Sequence, residues 1–342
     1  MRISEFTHLF PKQLPVMERF AETVRSVAHP ISKKQQHPAR IAIIYPGVQN
    51  SDYWRRSLKA LTGRLNDLNI RYETNIFLSR PSIDKELQAE QLAEALAWQP
   101  DYLIFNSDAL SHRNTIQRIL LQRKPKLILQ NITTPVRTWL KYPPFIYTGF
   151  DHAYGTNLLA ERMIASGAHK YGLLYFSPGY VSQMRGDTFA AAAQNTPSLS
   201  QAASFYTGGN RGKARAATEK LLRDNPDLDM IFACSTDIAL GAIEALDQAG
   251  RHEKITVNGW GGGAAELNAL SRGKLDLTVM RMNDDASVAI AEAIKLDIEG
   301  RSSQVPKVYS GDIILIDRNT TEEEITQIKQ RAFRYSGQEQ LH

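Results

Sequence analysis

The feature that most constrains the fold is a regular alternation of short apolar runs and amphipathic segments from Arg40 onwards. Apolar, β-branched runs such as 41–44 predict buried strands, and apolar residues at helical spacing follow them. This alternation is typical of parallel sheets that are covered by helices. Because the alternation restarts near residue 153, and because 342 residues exceed the usual size of one core, we predict two similar α/β lobes.

The first 36 residues precede the alternation and are predicted to form a helical extension. Met17, Phe20 and Val24 recur at helical spacing before Pro30 ends the pattern. Such a segment is too short for a helix-turn-helix domain with a hinge. It therefore argues against a DNA-binding regulator built on the same core.

Two helix starts are indicated by capping residues. Ser51 or Asp52 is the expected N-cap of a helix over about 52–68, which follows the strand-end loop 45–54. The last helix is expected to begin near Thr320 or Thr321, because each is followed three residues later by a glutamate, as in a capping box.

Charge and hydropathy exclude two classes of partner. The net charge is +5, but Lys and Arg are scattered, and the only dense basic stretch, 33–37, is interpreted as a solvated connector. Nucleic-acid binding usually needs a clustered basic face, so it is not expected. No apolar run approaches the roughly 20 residues that span a bilayer, so no membrane insertion is expected. Residues 1–10 show no apolar signal core.

The pattern of His and Cys residues does not favour a metal site. Cys234 is the single cysteine, and the eight histidines show neither an i,i+4 pair nor His-x-Glu spacing. His112 and His152 are interpreted as hydrogen-bonded loop residues. The paired carboxylates Asp284 and Asp285 open a predicted helix, where the helix dipole accounts for them. We therefore predict no bound metal.

Catalytic and nucleotide-binding motifs are also weak. The glycine-rich run 258–263 follows a strand and opens a helix, but three of its four glycines are consecutive and it lacks the G-x-G-x-x-G register. The stretch 234–237 contains nucleophile types, yet no histidine falls in the same or an adjacent loop. We predict that the protein is not an enzyme and needs no cofactor.

Polar and aromatic residues at the predicted strand ends form the strongest candidate site, because open α/β folds bind ligands at that edge. The candidate ligand-binding residues are Gln49, Ser51, Trp54, Asn131, Arg185, Ser235, Thr236, Trp260 and Arg281. The set has no matched acid and base. Two arginines in a closed cleft are costly unless the ligand is anionic, so the set predicts a small, polar, anionic, ring-bearing ligand. Taken singly, each arginine is better explained by a surface salt bridge, and loop 45–54 is equally consistent with an ordinary helix entry.

The two-lobed pattern resembles the periplasmic sugar-binding proteins of the ribose/galactose type, which share their fold with LacI-type effector domains. Within that group the chain is similar to the LuxP-type receptors for autoinducer-2. The similarity runs from about Arg40 almost to the end. Its strongest blocks are 45–54, 127–137, 185–189, 233–237, 258–263, 279–285 and 331–336.

This resemblance implies the type I periplasmic binding protein fold, with two Rossmann-like parallel-sheet lobes joined by a three-strand hinge and a ligand cleft between them. Residues 37–149 and about 283–312 are then expected to form lobe 1, and residues 150–282 and about 313–342 lobe 2. Residues 1–36 remain the helical extension.

The resemblance also implies the ligand, autoinducer-2 as a furanosyl borate diester, with borate as part of the ligand and no separate cofactor. The family's pocket residues fall on eight of the nine candidates, with Ser235 a ninth. The two arginines would balance the borate charge, and hydroxyl, amide and indole groups would contact the furanose. Phe150 and Phe176 are expected as apolar walls.

The implied partner is the periplasmic domain of a LuxQ-type hybrid sensor kinase, to which lobe closure would signal, and the implied location is the periplasm. Three alternatives remain open. A sugar-binding receptor of an ABC transporter shares the fold and would have a permease as its partner. A LacI-type regulator and an enzyme are disfavoured by the observations above.

Overall fold

Two parallel sheets, one in each lobe, organise the molecule. The computed structural model describes residues 1–49, 51–80, 83–106 and 112–337. The predicted α/β class with two parallel-sheet lobes is confirmed, and the strand predicted at 41–44 lies inside the first observed strand.

The sheet of lobe 1 is parallel, in the order β11-β5-β4-β3-β1-β2. Its strands are β1 (Ala39–Tyr45), β2 (Tyr72–Leu78), β3 (Tyr102–Phe105), β4 (Lys126–Gln130), β5 (Ile146–Phe150) and β11 (Val308–Gly311). Its helices are α3 (Tyr53–Asp67), α4 (Lys85–Ala97), α5 (Arg113–Gln122) and α12 (Asn283–Ile298). The sequence reading missed β11, since its four residues carry no clear apolar run.

The sheet of lobe 2 has the order β7-β6-β8-β9, and single bridges from Asn258 and Gly261, just after β9, join it to β10 of the antiparallel pair β10 and β12. Its strands are β6 (Lys170–Tyr175), β7 (Ser200–Tyr206), β8 (Met230–Ala233), β9 (Thr256–Val257), β10 (Leu277–Arg281) and β12 (Ile313–Asp317). Its helices are α6 (His152–Ile164), α7 (Tyr180–Ser182), α8 (Thr188–Gln194), α9 (Arg211–Asp224), α10 (Thr236–Gln248), α11 (Ala264–Ser271) and α13 (Glu322–Ala332).

Burial explains the apolar runs of the sequence. Ile41, Ile43 and Ile44 of β1 are completely buried, because helices cover both faces of a central parallel strand. Leu61 and Leu65 lie one turn apart on α3 and are also completely buried. Each such side chain contributes about 1.5–3 kcal/mol relative to exposure.

In the described residues, the chain crosses between the lobes after three strands, and once more after α13, where residues 333–337 return to lobe 1. The three strands are β5, β10 and β11, and the crossings after them lie at about residues 151, 282 and 312. At two of them the strands are tied together, because the Met282 N–H donates to the Asp312 carbonyl at 3.0 Å. Three adjacent crossings allow rotation of one lobe against the other by small backbone changes.

The extension consists of α1 (Ile3–Leu9) and α2 (Leu14–Arg25), and it packs on lobe 1. The Phe20 ring meets the Tyr309 ring of β11 edge-on at 5.9 Å between centroids. Two aromatic side chains of the extension, Phe6 and Phe20, are buried. The extension is therefore an integral part of that lobe's core.

The segment 333–337 differs from the expected division of the chain, which placed everything after about 313 in lobe 2. The backbone N–H groups of Tyr335 and Ser336 donate to the Asp284 carboxylate of α12, at 2.7 and 2.8 Å. Tyr335 also packs against Gly63 of α3. These contacts attach the segment to lobe 1.

The helix starts agree with the capping residues in part. Thr321 and Glu324 form the capping box of α13, which was one of the two predicted starts. Asp52 is the N-cap residue of α3, but its side chain makes no capping bond and instead accepts from Arg56. In the part of the chain that the structure describes, no helix is long and apolar enough to cross a membrane.

Candidate ligand-binding cleft

A cavity of about 110 Å³ lies between the lobes, at the carboxyl ends of their parallel strands. It is lined by all nine predicted ligand-binding residues, which are Gln49, Ser51, Trp54, Asn131, Arg185, Ser235, Thr236, Trp260 and Arg281. Strand-end loops from distant parts of the sequence therefore meet at one place, as the topology of parallel sheets requires.

Lobe 1 contributes uncharged polar groups and an indole through the loop after β1. The Gln49 amide nitrogen donates to the Pro46 carbonyl at 3.0 Å, which orients the side chain within the loop. The Ser51 hydroxyl accepts from the Tyr53 N–H at 3.4 Å. Trp54 is buried against the Tyr45 ring, with 4.6 Å between centroids. Lobe 1 thus offers a fixed, neutral wall.

Asn131 follows β4 and has a left-handed backbone, with φ of 64°. Asparagine tolerates this conformation better than most residues. Its N–H donates to the Thr148 carbonyl at 2.7 Å. Gly149 has no room for a Cβ, which would lie 2.9 Å from the Asn131 Cα. The backbone around Asn131 is therefore firmly placed.

His152 links Asn131 to Arg185 beneath the cavity. Its Nδ1 lies 3.2 Å from the Arg185 Nε, and its Nε2 lies 3.1 Å from the Asn131 Oδ1. Because arginine only donates, Nδ1 accepts, so Nε2 carries the hydrogen and donates to Oδ1. The Asn131 amide nitrogen is consequently left to face another partner as a donor.

The ring of His152 is neutral. It is buried between the Trp260 and Tyr180 rings, at 4.9 and 5.5 Å between centroids. Burial, followed by the positive charges of Arg185 and Arg281, holds the pKa of His152 well below its usual value. The expected hydrogen-bonded histidine is thus found, in contact with two candidate ligand-binding residues.

Arg185 lies in the π-helical turn Gln183–Asp187 and is buried. Its Nη1 donates to the Cys234 carbonyl at 2.7 Å, and its guanidinium carbon lies 3.5 Å from the Trp260 ring centroid. Burial, and then the nearby charge of Arg281, lowers the pKa of Arg185 to about 9. The side chain is protonated at neutral pH and is held by neutral groups.

Arg281 ends β10 and is also buried. Its guanidinium carbon lies 4.1 Å from the Tyr53 ring centroid, and its Nε has no hydrogen-bond partner among the residues that the structure describes. Burial lowers the pKa of Arg281, although Tyr53 opposes this effect. Among the described residues, neither Arg281 nor Arg185 forms an ion pair with a carboxylate. The cavity therefore holds two guanidiniums without a carboxylate in contact among the described residues, while the buried Asp237 also lines it.

Trp260 presents a ring face, and its indole N–H is already engaged. The Nε1–H donates to the Thr156 hydroxyl at 3.0 Å, inside lobe 2. Its ring is contacted by Arg185 and His152. Trp260 therefore has its ring face, and not its N–H group, available for contact with a ligand.

Ser235 and Thr236 begin α10 immediately after β8. The Ser235 hydroxyl is buried and has no partner in the described structure. The Thr236 side chain lies near Gly261, since a Cβ on that glycine would come within 3.5 Å of the Thr236 hydroxyl oxygen. Both hydroxyls belong to residues that line the cavity, so lobe 2 supplies donors beside its two cations.

The two predicted apolar walls have different positions. Phe176 lines the cavity, whereas Phe150 is completely buried and lies behind it, with its ring 5.7 Å from the Arg281 guanidinium carbon. Tyr53 and Tyr180 also line the cavity and were missed. Tyr53 directly precedes Trp54 in the predicted strand-end loop 45–54, and this position could have identified it as a lining residue.

Two observations on the described residues concern the thiol and the metal ligands at the cleft. Burial raises the pKa of Cys234 to about 12, so this residue remains a thiol at neutral pH. No group of three or more His, Cys, Asp or Glu side chains in the described ranges could hold a metal ion. What the arrangement can do chemically is bind through hydrogen bonds, ring faces and positive charge.

Comparison with known proteins places this geometry in a family. The profile of the periplasmic binding protein domain matches residues 41–302. The ribose import binding protein RbsB of Escherichia coli K12 is 31% identical over 135 residues, which are 39% of this chain and 43% of RbsB. RbsB of Bacillus subtilis 168 is 31% identical over 95 residues, 28% of this chain and 30% of that protein. The chain thus matches less than half the length of these relatives.

Solved structures agree in fold. A periplasmic solute-binding protein of an ABC transporter from Actinobacillus succinogenes, with bound D-allose, superposes with a TM-score of 0.72 at 19% identity, covering 84% of this chain and 99% of that one. The glucose-galactose binding protein GanP of Geobacillus stearothermophilus gives 0.73 at 17%, covering 84% and 100%. A solute-binding protein from Bacillus halodurans with bound myo-inositol gives 0.71 at 16%, covering 86% and 100%. Since the family profile spans well over half of the sequence, this chain belongs to the periplasmic binding protein domain family.

Proposed function

We propose that the interlobe cleft binds a small, ring-shaped, polyhydroxylated ligand with a negative charge and releases it unchanged. The observation that carries this proposal is the pair of buried arginines, Arg185 and Arg281, which make no ion pair with a carboxylate among the described residues. Burying an unpaired charge is costly, and two like charges add repulsion. An anion between the two guanidiniums would offset both costs through charge-assisted hydrogen bonds.

The ligand that best suits this chemistry is autoinducer-2 as its furanosyl borate diester. The tetrahedral borate would supply the negative charge, and the furanose oxygens would accept hydrogen bonds. Suitable donors are the Asn131 amide nitrogen, which His152 leaves available, and the hydroxyls of Ser235 and Thr236. The resemblance of the sequence to the LuxP-type receptors, which implies that their pocket residues fall on eight of the nine candidates, is the further reason for naming this ligand.

The proposed biological role is that of a periplasmic receptor. Ligand binding between the lobes would favour their closed arrangement, because a ligand shifts the equilibrium toward the state that it contacts more fully. The closed form would then signal to the periplasmic domain of a LuxQ-type hybrid sensor kinase.

A second candidate is a sugar-binding receptor of an ABC transporter. It is supported by the sequence similarity to ribose import proteins and by the fold shared with complexes of D-allose and myo-inositol. In this case a neutral sugar would lie between Trp54 and Trp260, and a membrane permease would be the partner. The two buried guanidiniums are less well explained by this candidate.

Isothermal titration separates the two candidates. Wild-type protein would be titrated with the autoinducer-2 precursor with and without borate, and with D-ribose and D-allose. We expect binding that depends on borate, and a loss of about 2–5 kcal/mol in Arg281→Met, because the anion then loses a buried partner. Exposed Arg272, also in lobe 2, provides the matched control Arg272→Met, which should bind as the wild type does.

The opposite pattern would favour the transporter receptor. Tight binding of D-ribose or D-allose, with no effect of borate and little change in Arg281→Met, would contradict the anionic ligand.

A further inference from the structure

A contact between the lobes lies beside the cleft, at a residue that does not line it. Asp52 starts α3 in lobe 1, directly after Ser51, and its side chain is buried against the start of α11 in lobe 2. The Ala264 N–H donates to the Asp52 Oδ2 through a long hydrogen bond of 3.5 Å. The first turn of a helix carries partial positive charge, which favours a carboxylate there.

Asp52 is held in place from its own lobe. Its Oδ2 accepts from the Arg56 Nε at 2.6 Å, and both side chains are almost completely buried. Arg56 in turn stacks on the Phe333 ring, 4.0 Å from the centroid, and donates to the Ser336 hydroxyl at 3.4 Å. Lobe 1 therefore presents a preorganised carboxylate to lobe 2.

The loop 260–263, which contacts Asp52, is held in place by hydrogen bonds within lobe 2. The completely buried Glu266 accepts from the Trp260 N–H at 3.0 Å, from the Gly262 N–H at 2.8 Å and from the Thr278 hydroxyl at 2.5 Å. One end of this loop places Trp260 in the cleft, and the other places Gly263 against Asp52. A movement of the lobes that separates Asp52 from Gly263 also moves Trp260 away from lobe 1.

Gly263 is required here by space alone. A Cβ on Gly263 would lie 2.6 Å from the Asp52 Oδ1, and its three nearest atoms would all belong to Asp52. The backbone of Gly263 has φ of −75° and ψ of 174°, which any residue adopts. A methyl group at this position therefore acts as a wedge between the lobes without straining lobe 2.

We propose that Asp52 and Gly263 form a latch that sets the balance between open and closed lobes, with Asp52 as a positioning residue for ligand affinity. The latch rests on the proposed function only in that the ligand is held between closing lobes. It does not depend on which ligand that is. Affinity would be set in part at a pair of residues that the ligand does not touch.

The test combines small-angle X-ray scattering without ligand and titration with the ligands named above. In Gly263→Ala we expect a larger radius of gyration than in the wild type and at least tenfold weaker binding. Gly212→Ala in α9 is the matched control, because its Cβ would meet only one atom within 4 Å, at an ordinary 3.4 Å.

Shortening the Asp52 side chain removes its clash with a Cβ at position 263. A second variant can therefore show whether this clash causes the effect of Gly263→Ala. Asp52→Ser should open the lobes moderately, because it loses the latch, and adding Gly263→Ala to it should have no further effect. The latch is overturned if Gly263→Ala matches Gly212→Ala in scattering and affinity, or if its effect adds in full to that of Asp52→Ser. Should the wild type bind none of the ligands, the proposed function fails, and scattering still decides the latch.

Discussion

Two pairs of buried arginines behave in opposite ways in this molecule. On α3, Arg64 donates to the Glu292 carboxylate at 2.8 Å from Nε, and Arg56 donates to the Asp52 carboxylate at 2.6 Å. In the cleft, Arg185 and Arg281 are just as deeply buried but contact rings, a histidine and a carbonyl. The arginine charge is thus paired with a carboxylate on α3, whereas in the cleft it is not paired with one among the described residues.

The two pairs of arginines therefore differ in what compensates their charge. The α3 arginines join lobe 1 to the C-terminal segment, as the bond from the Arg64 Nη1 to the Tyr335 hydroxyl at 2.9 Å shows. Their charges are satisfied by the fold. The cleft arginines add cost to the fold, which an anionic ligand would remove. Stability and binding should therefore respond in opposite directions when the two pairs are changed.

The largest expected effect is on Arg64. Arg64→Met leaves Glu292 buried without its partner, so we expect a loss of about 3–5 kcal/mol in the free energy of unfolding. Urea unfolding would measure it. Removing both charges in Arg64→Met with Glu292→Leu should restore most of the loss. If Arg64→Met alone were as stable as the wild type, the ion pair with Glu292 would not stabilise the fold.

Replacement of Arg281 should not lower the free energy of unfolding. Arg281→Met in the ligand-free protein removes an unpaired buried charge at similar volume, so we expect the free energy of unfolding to stay the same or to rise, because the cost of burying that charge is lost. The same urea measurement applies, and Arg272→Met again serves as the control. A destabilisation as large as that of Arg64→Met would mean that Arg281 is a structural residue.

His152 should make stability depend on pH in a defined window. The folded state keeps the ring neutral because its pKa is lowered, whereas the unfolded chain takes up a proton below about pH 6.5. Stability is therefore unaffected above that pH and falls as the pH drops below it, by at most about 1.4 kcal/mol per pH unit. His152→Gln should reduce this slope, and His169→Gln, at an exposed position, should not. Equal slopes in both variants would exclude His152 as its source.

The smallest effect is expected at the surface. Lys220 and Asp224 form an i,i+4 ion pair on α9 with both side chains about half exposed. Lys220→Ala should leave the unfolding midpoint in urea unchanged within error, because solvent screens such pairs. A clear destabilisation would show that exposure is a poor guide to the value of an ion pair in this protein.

The sequence allowed the cleft to be predicted because its residues follow strands. Gln49 lies in the loop after the apolar run 41–44, Asn131 lies just after the run 127–129, and the ends of parallel strands meet at one edge. No comparable signal marked Tyr180, which lies in a short helix before a π-helical turn. Phe150 ends a strand as well, yet its side chain points behind Arg281, and strand position alone does not give the direction of a side chain.

Contacts between the lobes could not be predicted from the sequence. The pairing of Asp52 with Gly263 joins residues more than 200 positions apart, and only the docking of the lobes brings them together. The attachment of 333–337 to lobe 1 was likewise missed, because a run of mixed aromatic and charged residues is compatible with either lobe.

The left-handed backbone of Asn131 restricts which residues can replace it in the cleft. Among side chains that tolerate such a φ, glycine would give up the contact with His152, whereas aspartate would keep an oxygen for its Nε2–H. Replacing one amide nitrogen by oxygen would place a negative charge near two guanidiniums. If the ligand is anionic, as proposed, Asn131→Asp should therefore weaken its binding relative to that of a neutral sugar, at a position where few other changes are tolerated.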